Sequence, residues 1–426
     1  MKWELAIVAA SLLVAAGVSR QLTDTSFTPA MVFVLIGLLV GPLVADDVAP
    51  APTSETVRAL AEATLAVVLF ADASRIKLRL LRREYSVPLR LLGIGLPLTI
   101  VAGALLAAAL FGELNLAEAV VLGVLLAPTD AALGQAVVTE PRLPSRIRQG
   151  LNVESGLNDG ICVPLLLIAL AAADVERHTT TGHHAVSIVF EEIGYGILGG
   201  VAAGLVAAWV VSVGSRRNSI TGPWLQIIPV AGAGLAYGVA TALGGSGFIA
   251  AFVAGAIFGT LVARESELAS RLNEEIGGLL GGATFLMFGA VLLGPTLQHL
   301  TWAMALYAVL SLTVVRMLPV ALGMVGSGAK WQTVAFLGWF GPRGLASIVF
   351  AVIAVQEQHL AGAATIVRAA YLTIGLSVVA HGVTAAPLAR RYARWYTDHP
   401  RGQPPAMESV PVSHHRARGS PHPHVT

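Results

Sequence analysis

The amino-acid sequence predicts an all-α integral membrane protein with about thirteen transmembrane helices. Three observations support this fold class: 55% of the 426 residues are hydrophobic, only 12% are charged, and apolar runs recur along almost the whole chain. The runs reach roughly 17–25 residues, the length that a helix needs to cross a bilayer. An ordinary soluble domain carries about twice this charged fraction, so a soluble protein is excluded and no nucleic-acid partner is expected.

The apolar runs define thirteen segments. Segment seven is long enough to be tilted in the bilayer. The short connection LGGSG at 243–247 leaves open whether segments eight and nine are separate helices. The segments are 4–19, 27–45, 56–73, 87–111, 116–138, 150–173, 185–213, 222–243, 247–263, 276–295, 300–325, 331–355 and 363–388.

Basic residues alternate along the chain, and this alternation predicts the topology. Lysine and arginine concentrate in the cytoplasmic loops of membrane proteins. Here 21 of the 27 basic residues follow odd-numbered segments, whereas ADDVAPAPTSE at 45–55, after segment two, is purely acidic. The sequence therefore predicts a multi-pass protein of the cell membrane with its N-terminus outside and its C-terminus in the cytoplasm. The first segment lacks a basic n-region and is interpreted as a retained helix.

A change in composition at residue 389 divides the chain into a transmembrane domain, 1–389, and a tail, 390–426. The tail is basic, rich in Pro and His, and without apolar periodicity. We expect it to be disordered and cytoplasmic, with its first arginines at the anionic membrane surface. Its histidines are expected to be solvated rather than to bind a metal.

Five of the charged side chains within the apolar segments stand out. A charge inside a bilayer costs about 2.5–3.5 kcal/mol on insertion scales, so each is a candidate functional residue. Ion pairing that serves packing alone is the alternative. The five residues are Asp130, Glu154, Asp159, Arg316 and Arg343. The other carboxylates, such as Glu62 and Asp72, lie near segment ends and are expected to snorkel or to pair at the interface.

The stretch LNVESGLNDG at 151–160 places several of these polar groups on one helix face. Glu154 and Asn158 are four residues apart, as are Ser155 and Asp159, so each pair faces the same side of a helix. The face offers carboxylate, amide and hydroxyl oxygens. Hard monovalent cations such as Na⁺ take oxygen ligands, and the stretch has no Cys or His cluster suited to a transition metal. We therefore expect an ion site here.

Segment five is predicted to break in mid-membrane within LLAPTDAALG, 125–134. Pro128 removes a backbone donor and disfavours helical geometry at Ala127. Asp130 then stands where a half-helix begins, so its carboxylate can cap free N–H groups at the positive dipole end. Carbonyls near Thr129 would face inward as ligands, because non-helical backbone at this depth must line protein or a cavity. A plain proline kink is the alternative.

Segment twelve carries a second predicted break. The motif FGPRG at 340–344 interrupts the helix and contains Arg343. Two interrupted helices in oppositely oriented halves indicate an inverted-repeat transporter with a site near the bilayer midplane. Arginine in one break and aspartate in the other can offset opposed helix-dipole ends. Arg316, in segment eleven, is then the candidate partner of Glu154.

The combination of PTD at 128–130, ESGLNDG at 154–160 and FGPRG at 340–344 resembles the cation/proton antiporter-1 family, the NhaP-like bacterial sodium/proton antiporters related to sodium/hydrogen exchangers. The resemblance covers roughly residues 5–390. It implies an NhaA-like antiporter fold with inverted repeats and two broken, crossing helices. It also implies a homodimer in which a core domain moves past a dimerisation domain to alternate access.

The resemblance implies roles for individual residues. Glu154 would be a structural carboxylate paired with Arg316, and Na⁺ would lie at Asp159, Ser155 and Thr129. Many members have Pro where this chain has Ala131, so the break here would depend on Pro128. The full set of residues carried over to the ion and proton site is Asp159, Asn158, Ser155, Thr129 and Asp130.

Competition at Asp159 predicts the mechanism. Desolvation favours the protonated carboxyl and a bound cation favours the ionised one, so the cation and the proton exclude each other. We expect exchange of a monovalent cation for H⁺ by alternating access; Na⁺ is the first expectation, and Li⁺ and K⁺ take the same oxygen ligands. The exchange should be electroneutral because Asn158 cannot titrate and Glu154 is held by Arg316. Neither enzymatic activity nor a cofactor is expected.

Other functions fit parts of the sequence. A symporter of a small organic anion would hold a carboxylate at a half-helix N-terminus, but Asp130 already occupies such a position. An ion channel or a membrane enzyme has less support: selectivity-filter repeats, an HExxH motif and a Ser/His pair at membrane depth are not evident, and His381 is interpreted as a packed helix residue. In segment seven, Gly196, Gly200 and Gly204 would serve a dimer face or close packing within the monomer.

Overall fold

The computed structural model describes residues 27–44, 55–76, 86–130, 132–134, 140–176, 182–262, 266–356, 360–398 and 407–409, with isolated positions among residues 6–17 and at 137. Within these ranges every regular element is a helix and no strand occurs. The all-α fold class predicted from the sequence is confirmed.

The helices follow the predicted segments in order, and residues 9–14 of the first segment are also helical. The first half of the chain contains α1 Pro29–Val44, α2 Glu55–Arg75, α3 Ser86–Leu110, α4 Leu116–Leu125, α5 Ser145–Glu176 and α6 Gly182–Arg216. The second half contains α7 Gly222–Ala242, α8 Gly247–Leu261, α9 Ser266–Met287 continued by Phe288–Leu293 and Gly294–Leu297, α10 Trp302–Gly323, α11 Trp331–Trp339, α12 Leu345–Gln356 and α13 Ala363–Thr397.

Helix length separates complete spans from halves of spans. Within the described residues, seven helices are long and apolar enough to cross a membrane: α3, α5, α6, α7, the part of α9 at 272–297, α10 and α13. Helices α4 and α12 are apolar but shorter, at ten and twelve residues. Helices α1 and α8 are also shorter, but of these four only α4 and α12 adjoin a predicted break, and this position is that of a half-helix.

Segments eight and nine form two helices, which settles the alternative that the LGGSG connection left open. Gly244 has φ +81°, in the left-handed region that glycine adopts without a steric penalty. Two residues later, the Ser246 hydroxyl accepts a hydrogen bond from Ile249 N–H (3.4 Å) and caps α8. The turn and the cap together end α7 and start α8.

The glycine stripe of segment seven packs inside the monomer. A Cβ added to Gly196, Gly200 or Gly204 would lie 2.6–2.9 Å from backbone atoms of Ser246, Ala250 or Ala254. These backbone atoms belong to α8 or to its cap. The glycines therefore let α6 and α8 approach closely. Packing within the monomer accounts for this stripe without a dimer face.

The largest apolar cluster surrounds the two breaks. It includes Leu125 at the end of α4, Val163 of α5, Val349 of α12 and Ile374 of α13, each no more than 3% exposed. Polar groups placed among these side chains have little access to water. They must therefore find hydrogen-bond partners within the protein.

The C-terminal tail departs from the disorder predicted for 390–426. Helix α13 continues through Thr397, beyond the predicted boundary at 389, and Tyr392 stacks on Phe336 with ring centroids 4.3 Å apart. The apolar contacts of this aromatic ring explain why the helix extends past the basic residues that suggested a tail. Residues 399–406 and 410–426, including the tail histidines, lie outside the described residues.

A short stretch of the tail, Met407–Ser409, also packs on the helices. Glu408 is 1% exposed, and its Oε1 accepts hydrogen bonds from Lys330 N–H (2.9 Å) and Thr333 Oγ1 (2.6 Å). Arg146 of α5 donates to the carbonyl of Met407 (3.1 Å). Since Lys330 precedes α11, the Glu408 carboxylate caps the N-terminus of that helix.

Candidate ion-binding site

Helix α5 carries four of the polar residues predicted for the site. It is continuous from Ser145 to Glu176, so residues four apart lie on one face. Glu154 is 2% exposed, Asn158 1% and Asp159 7%, which is low for side chains of this polarity. The structure therefore buries the polar face in the protein interior.

A hydroxyl and amide cluster joins α5 to the break of segment five. Thr129 Oγ1 lies 3.1 Å from Ser155 Oγ and accepts a hydrogen bond from Asn158 Nδ2 (2.5 Å). Asn158 Oδ1 has no hydrogen-bond partner among the described residues. The cluster thus brings two hydroxyl oxygens and an unused amide oxygen together, and these are ligands suited to a hard monovalent cation.

Asp159 lies beside this cluster. It follows Asn158 directly and is one helical turn beyond Ser155, so its carboxylate projects from the same side of α5 as the serine hydroxyl. A carboxylate next to neutral oxygens supplies the negative charge that a desolvated monovalent cation needs. The same carboxylate can instead hold a proton.

The two predicted breaks contact each other. Helix α4 ends at Leu125 and residues 127–130 are non-helical, while α11 ends at Trp339 and residues 340–344 are non-helical. Asp130 N–H donates to the carbonyl of Pro342 (2.7 Å). The plain proline kink is therefore the wrong interpretation of segment five, because the non-helical backbone there pairs with a second interrupted helix.

Asp130 bonds to both sides of this contact. Its Oδ1 accepts from Ala132 N–H (2.7 Å), and its Oδ2 accepts from Leu345 N–H (2.9 Å), the first residue of α12. A side chain on Gly344 would overlap the Asp130 carboxylate, so glycine is required for this approach. The sequence predicted a cap on the half-helix of segment five; the bond to α12 was not foreseen. Ala131 lies outside the described residues.

Arg343 makes the reciprocal contact. It is fully buried, and its Nη1 donates to the carbonyls of Ala127 (2.7 Å) and Pro128 (3.2 Å), just beyond the C-terminus of α4. Carbonyls at a helix C-terminus carry the negative end of the helix dipole. The arginine of one break thus stabilises the half-helix end of the other, as the aspartate does in the opposite direction.

Glu154 and Arg316 form the buried ion pair that the sequence suggested. Arg316 Nη2 of α10 lies 2.6 Å from Glu154 Oε1, and both side chains are at most 2% exposed. The guanidinium also packs against Gly341, where a Cβ would overlap it. The pair therefore connects α5 and α10 and lies against the break of segment twelve.

Ser377 and His381 of α13 form a buried polar pair that was not predicted from the sequence, where no Ser/His pair at membrane depth was evident. They are 0% and 1% exposed, and Ser377 Oγ lies 3.2 Å from His381 Nδ1. Ser377 Oγ also accepts from Arg343 N–H (2.7 Å), and His381 Nε2 lies 2.9 Å from the carbonyl of Trp339. The signal was available: two polar residues four apart within an otherwise apolar run.

The chain is similar to known membrane transport proteins along most of its length. The family model for the transmembrane sodium/hydrogen exchanger matches residues 7–391. The K(+)/H(+) antiporter NhaP of Alkalimonas amylolytica is 26% identical, over 84% of this chain and 62% of its own. A probable Na(+)/H(+) antiporter of Schizosaccharomyces pombe is 26% identical, over 76% of this chain and 45% of its own. This chain thus spans less than two thirds of the length of either relative.

A solved structure has the same fold. The sodium proton antiporter MjNhaP1 from Methanocaldococcus jannaschii superimposes with a TM-score of 0.74 at 18% identity, covering 89% of this chain and 99% of that one. The predicted antiporter fold is therefore confirmed. Because the family model spans nearly all of the transmembrane domain, this chain belongs to the sodium/hydrogen exchanger family of transmembrane proteins.

Proposed function

We propose that this protein exchanges a monovalent cation for a proton across the cell membrane. The observation that carries the proposal is the oxygen cluster of Thr129, Ser155 and Asn158, in which Thr129 and Asn158 are buried. Asp159 adjoins this cluster, and the contact of the two breaks lies beside it. Family membership supports the same class of function, as do relatives named as K(+)/H(+) and Na(+)/H(+) antiporters.

Coupling follows from competition at one carboxylate. When Asp159 is ionised, its charge and the oxygens of Thr129 and Ser155 hold the cation; when it is protonated, the positive charge is no longer balanced and the cation leaves. The ionised, empty site is too costly to carry through the apolar interior. Access therefore alternates only with cation or proton bound. Na⁺ is the proposed cation, with Li⁺ and K⁺ as alternatives that take the same ligands.

The chemistry of Asn158 and the contacts of Glu154 and Asp130 support a stoichiometry of one proton per cation. Asn158 cannot titrate. Glu154 is 2.6 Å from Arg316, and both oxygens of Asp130 accept backbone N–H bonds. Both carboxylates are thus occupied by partners within the protein, so we propose that neither adds a cycling proton. That leaves Asp159, and exchange is proposed to be electroneutral.

The proposal includes the orientation of the chain in the membrane and its oligomeric state. The distribution of basic residues supports a cytoplasmic C-terminus and an external N-terminus. A homodimer is proposed from the family resemblance alone. Symport of a small organic anion is disfavoured, because Asp130 already occupies the α12 N-terminus at which a substrate carboxylate would bind.

A transport assay tests the proposal. Purified protein in liposomes loaded with a pH-sensitive dye is exposed to Na⁺, Li⁺, K⁺ or Rb⁺, and cation-dependent proton flux is expected. Asp159→Asn should abolish the flux while the protein remains monodisperse, because the amide cannot exchange a proton for a cation. Near-normal flux in this variant would refute the role of Asp159. Conductance without proton coupling would favour a channel.

A second measurement tests the stoichiometry. Moving one net charge couples to voltage by about 2.3 kcal/mol per 100 mV, whereas one-for-one exchange does not couple to voltage at equilibrium. A K⁺/valinomycin potential should therefore leave unchanged the Na⁺ gradient that balances a given pH gradient. A shift of this balance point with voltage would show that a second carboxylate carries protons.

A further inference from the structure

The break of segment twelve removes a particular backbone hydrogen bond. In a continuous α-helix, Arg343 N–H would donate to the carbonyl of Trp339, four residues earlier. Residues 340–344 are non-helical, so the two groups are separated. Arg343 is fully buried, whereas the Trp339 carbonyl accepts a hydrogen bond from Gly341 N–H (2.9 Å), which uses one of its two lone pairs. A buried backbone N–H without a partner is costly, so Arg343 N–H needs a substitute acceptor. The Trp339 carbonyl has room for a substitute donor beside Gly341 N–H.

Helix α13 provides both substitutes. Ser377 Oγ accepts from Arg343 N–H (2.7 Å), and His381 Nε2 lies 2.9 Å from the Trp339 carbonyl. In the tautomer with the hydrogen on Nε2, the imidazole donates this bond and Nδ1 accepts from the Ser377 hydroxyl. The imidazole also stacks on the Trp339 indole, with ring centroids 5.1 Å apart.

The two substitutes are linked to each other. Ser377 and His381 are four residues apart on α13, and Ser377 Oγ lies 3.2 Å from His381 Nδ1. The pair thus spans the interruption from Trp339 to Arg343 in place of the missing helical bond. Both residues are almost fully buried, so water cannot replace either of them.

A chain of contacts connects this pair to the proposed cation ligands. The Arg343 guanidinium donates to the carbonyls of Ala127 and Pro128. The next residue is Thr129, whose hydroxyl bonds to Ser155 and Asn158. The backbone of Arg343 is therefore fixed by Ser377, and its side chain fixes the carbonyls that precede Thr129.

We propose that Ser377 and His381 are positioning residues for cation binding. By bridging the break of segment twelve they hold Arg343, and through Arg343 they hold Thr129 at the distance from α5 that a cation requires. This inference rests on the proposed function, because it assigns the pair an effect on cation affinity. A role in packing alone would change the amount of folded protein without changing affinity.

The experiment compares four variants in liposomes, normalised to folded protein. His381→Leu and Ser377→Ala should each raise the apparent KM for Na⁺ about three- to tenfold, the range expected for losing one hydrogen bond of ordinary net strength. His381→Gln keeps a donor near the Nε2 position and should stay within about twofold of the unmodified protein.

Thr384→Val is the matched control. Its hydroxyl accepts a hydrogen bond from the Trp339 indole (2.9 Å), so the variant disturbs the same two helices without touching the backbone of the break. Its KM should not change. Stabilisation by Na⁺ in thermal unfolding gives a second readout that does not depend on transport, and it should require higher Na⁺ in His381→Leu and Ser377→Ala only.

The outcomes separate this inference from the proposed function. If the unmodified protein shows no cation-dependent proton flux, the proposed function fails. If it does, and His381→Leu and Ser377→Ala keep its KM, or Thr384→Val raises KM equally, the positioning role is wrong. Should His381→Leu fail to fold, Ser377→Ala decides alone, because it removes one hydroxyl and leaves the ring in place.

Discussion

The two helix breaks lie against each other but have different surroundings. The break at 127–130 directs Thr129 toward α5 and Asp130 toward the start of α12. The break at 340–344 has Arg316 packed against Gly341, and Ser377 of α13 bonded to its backbone. Among the described residues, the first break contributes a proposed cation ligand, whereas the second contributes bonds that hold the first in place.

Under the proposed function, the difference assigns cation binding to the first break and support of the first break to the second. A site that releases its ion must not be over-constrained, so we infer that rigidity is concentrated in the break of segment twelve. Arg343 transmits that rigidity to the carbonyls of Ala127 and Pro128. Substitutions at three places test the comparison, from the largest expected effect to the smallest.

The largest effect is expected at the ion pair behind the second break. Glu154→Ala leaves Arg316 buried without its counterion, which costs about 3–5 kcal/mol of folding free energy. Thermal unfolding in detergent should show this loss, together with reduced exchange. In a double-mutant cycle, Glu154→Gln and Arg316→Gln should be strongly non-additive because the two side chains are in contact. Additive losses would show that the pair contributes no coupling energy.

A smaller effect is expected at Asp130 and Arg343, the charged side chains through which each break bonds to the other. Asp130→Asn turns an acceptor of two N–H bonds into a group with one acceptor oxygen, and Arg343→Gln removes the donor to the α4 carbonyls. Each should cost about 1.5–3 kcal/mol, the value of a hydrogen bond to a charged group. Exchange should fall about tenfold or more in both.

The double variant Asp130→Asn/Arg343→Gln sharpens this result. It removes one negative and one positive charge from the same contact, so its loss should be smaller than the sum of the single losses. Glu113→Gln is the control: this exposed carboxylate accepts one bond, from the Thr365 hydroxyl, and its replacement should leave exchange unchanged. If the single losses simply add, the two breaks do not compensate each other.

The smallest effect is expected at the tail. Glu408→Ala removes the cap from α11, the helix that leads into the second break, and should lower stability by about 1 kcal/mol, as loss of an N-cap does. Glu140→Ala is the control. The Arg142 hydrogen bond lowers the pKa of Glu140, but the Arg142 side chain is 59% exposed, so removal of the pair should have little effect at pH 7. Equal destabilisation in the two variants would contradict the capping role of Glu408.

Much of the fold followed from local sequence patterns. Apolar runs of bilayer length gave the helices, because a spanning helix satisfies its backbone within its own segment. Pro128 and the FGPRG motif predicted the breaks, because proline and glycine change the backbone within a few residues of themselves. Glu154 and Arg316 were matched because buried charges of opposite sign need partners.

Tertiary structure decided the remaining contacts. The sequence placed Asp130 at a half-helix N-terminus, and only the crossing of two breaks showed that its carboxylate also caps α12. His381 was interpreted as a packed residue, and only the position of α13 beside Trp339 gave it a backbone partner. Glu408 was placed in a disordered tail, and only folding brought it to the start of α11.

By itself, the sequence determined which residues are costly to bury and where the helices must stop, since both depend on a residue and its close neighbours along the chain. Which buried group satisfies which other group was decided by the tertiary structure alone. The partners lie tens to hundreds of residues apart, as Asp130 and Leu345 or Lys330 and Glu408 do, and they meet only through the way the helices cross. The physical reason is that hydrogen bonds act over about 3 Å, so a small change in a helix crossing would exchange one set of partners for another.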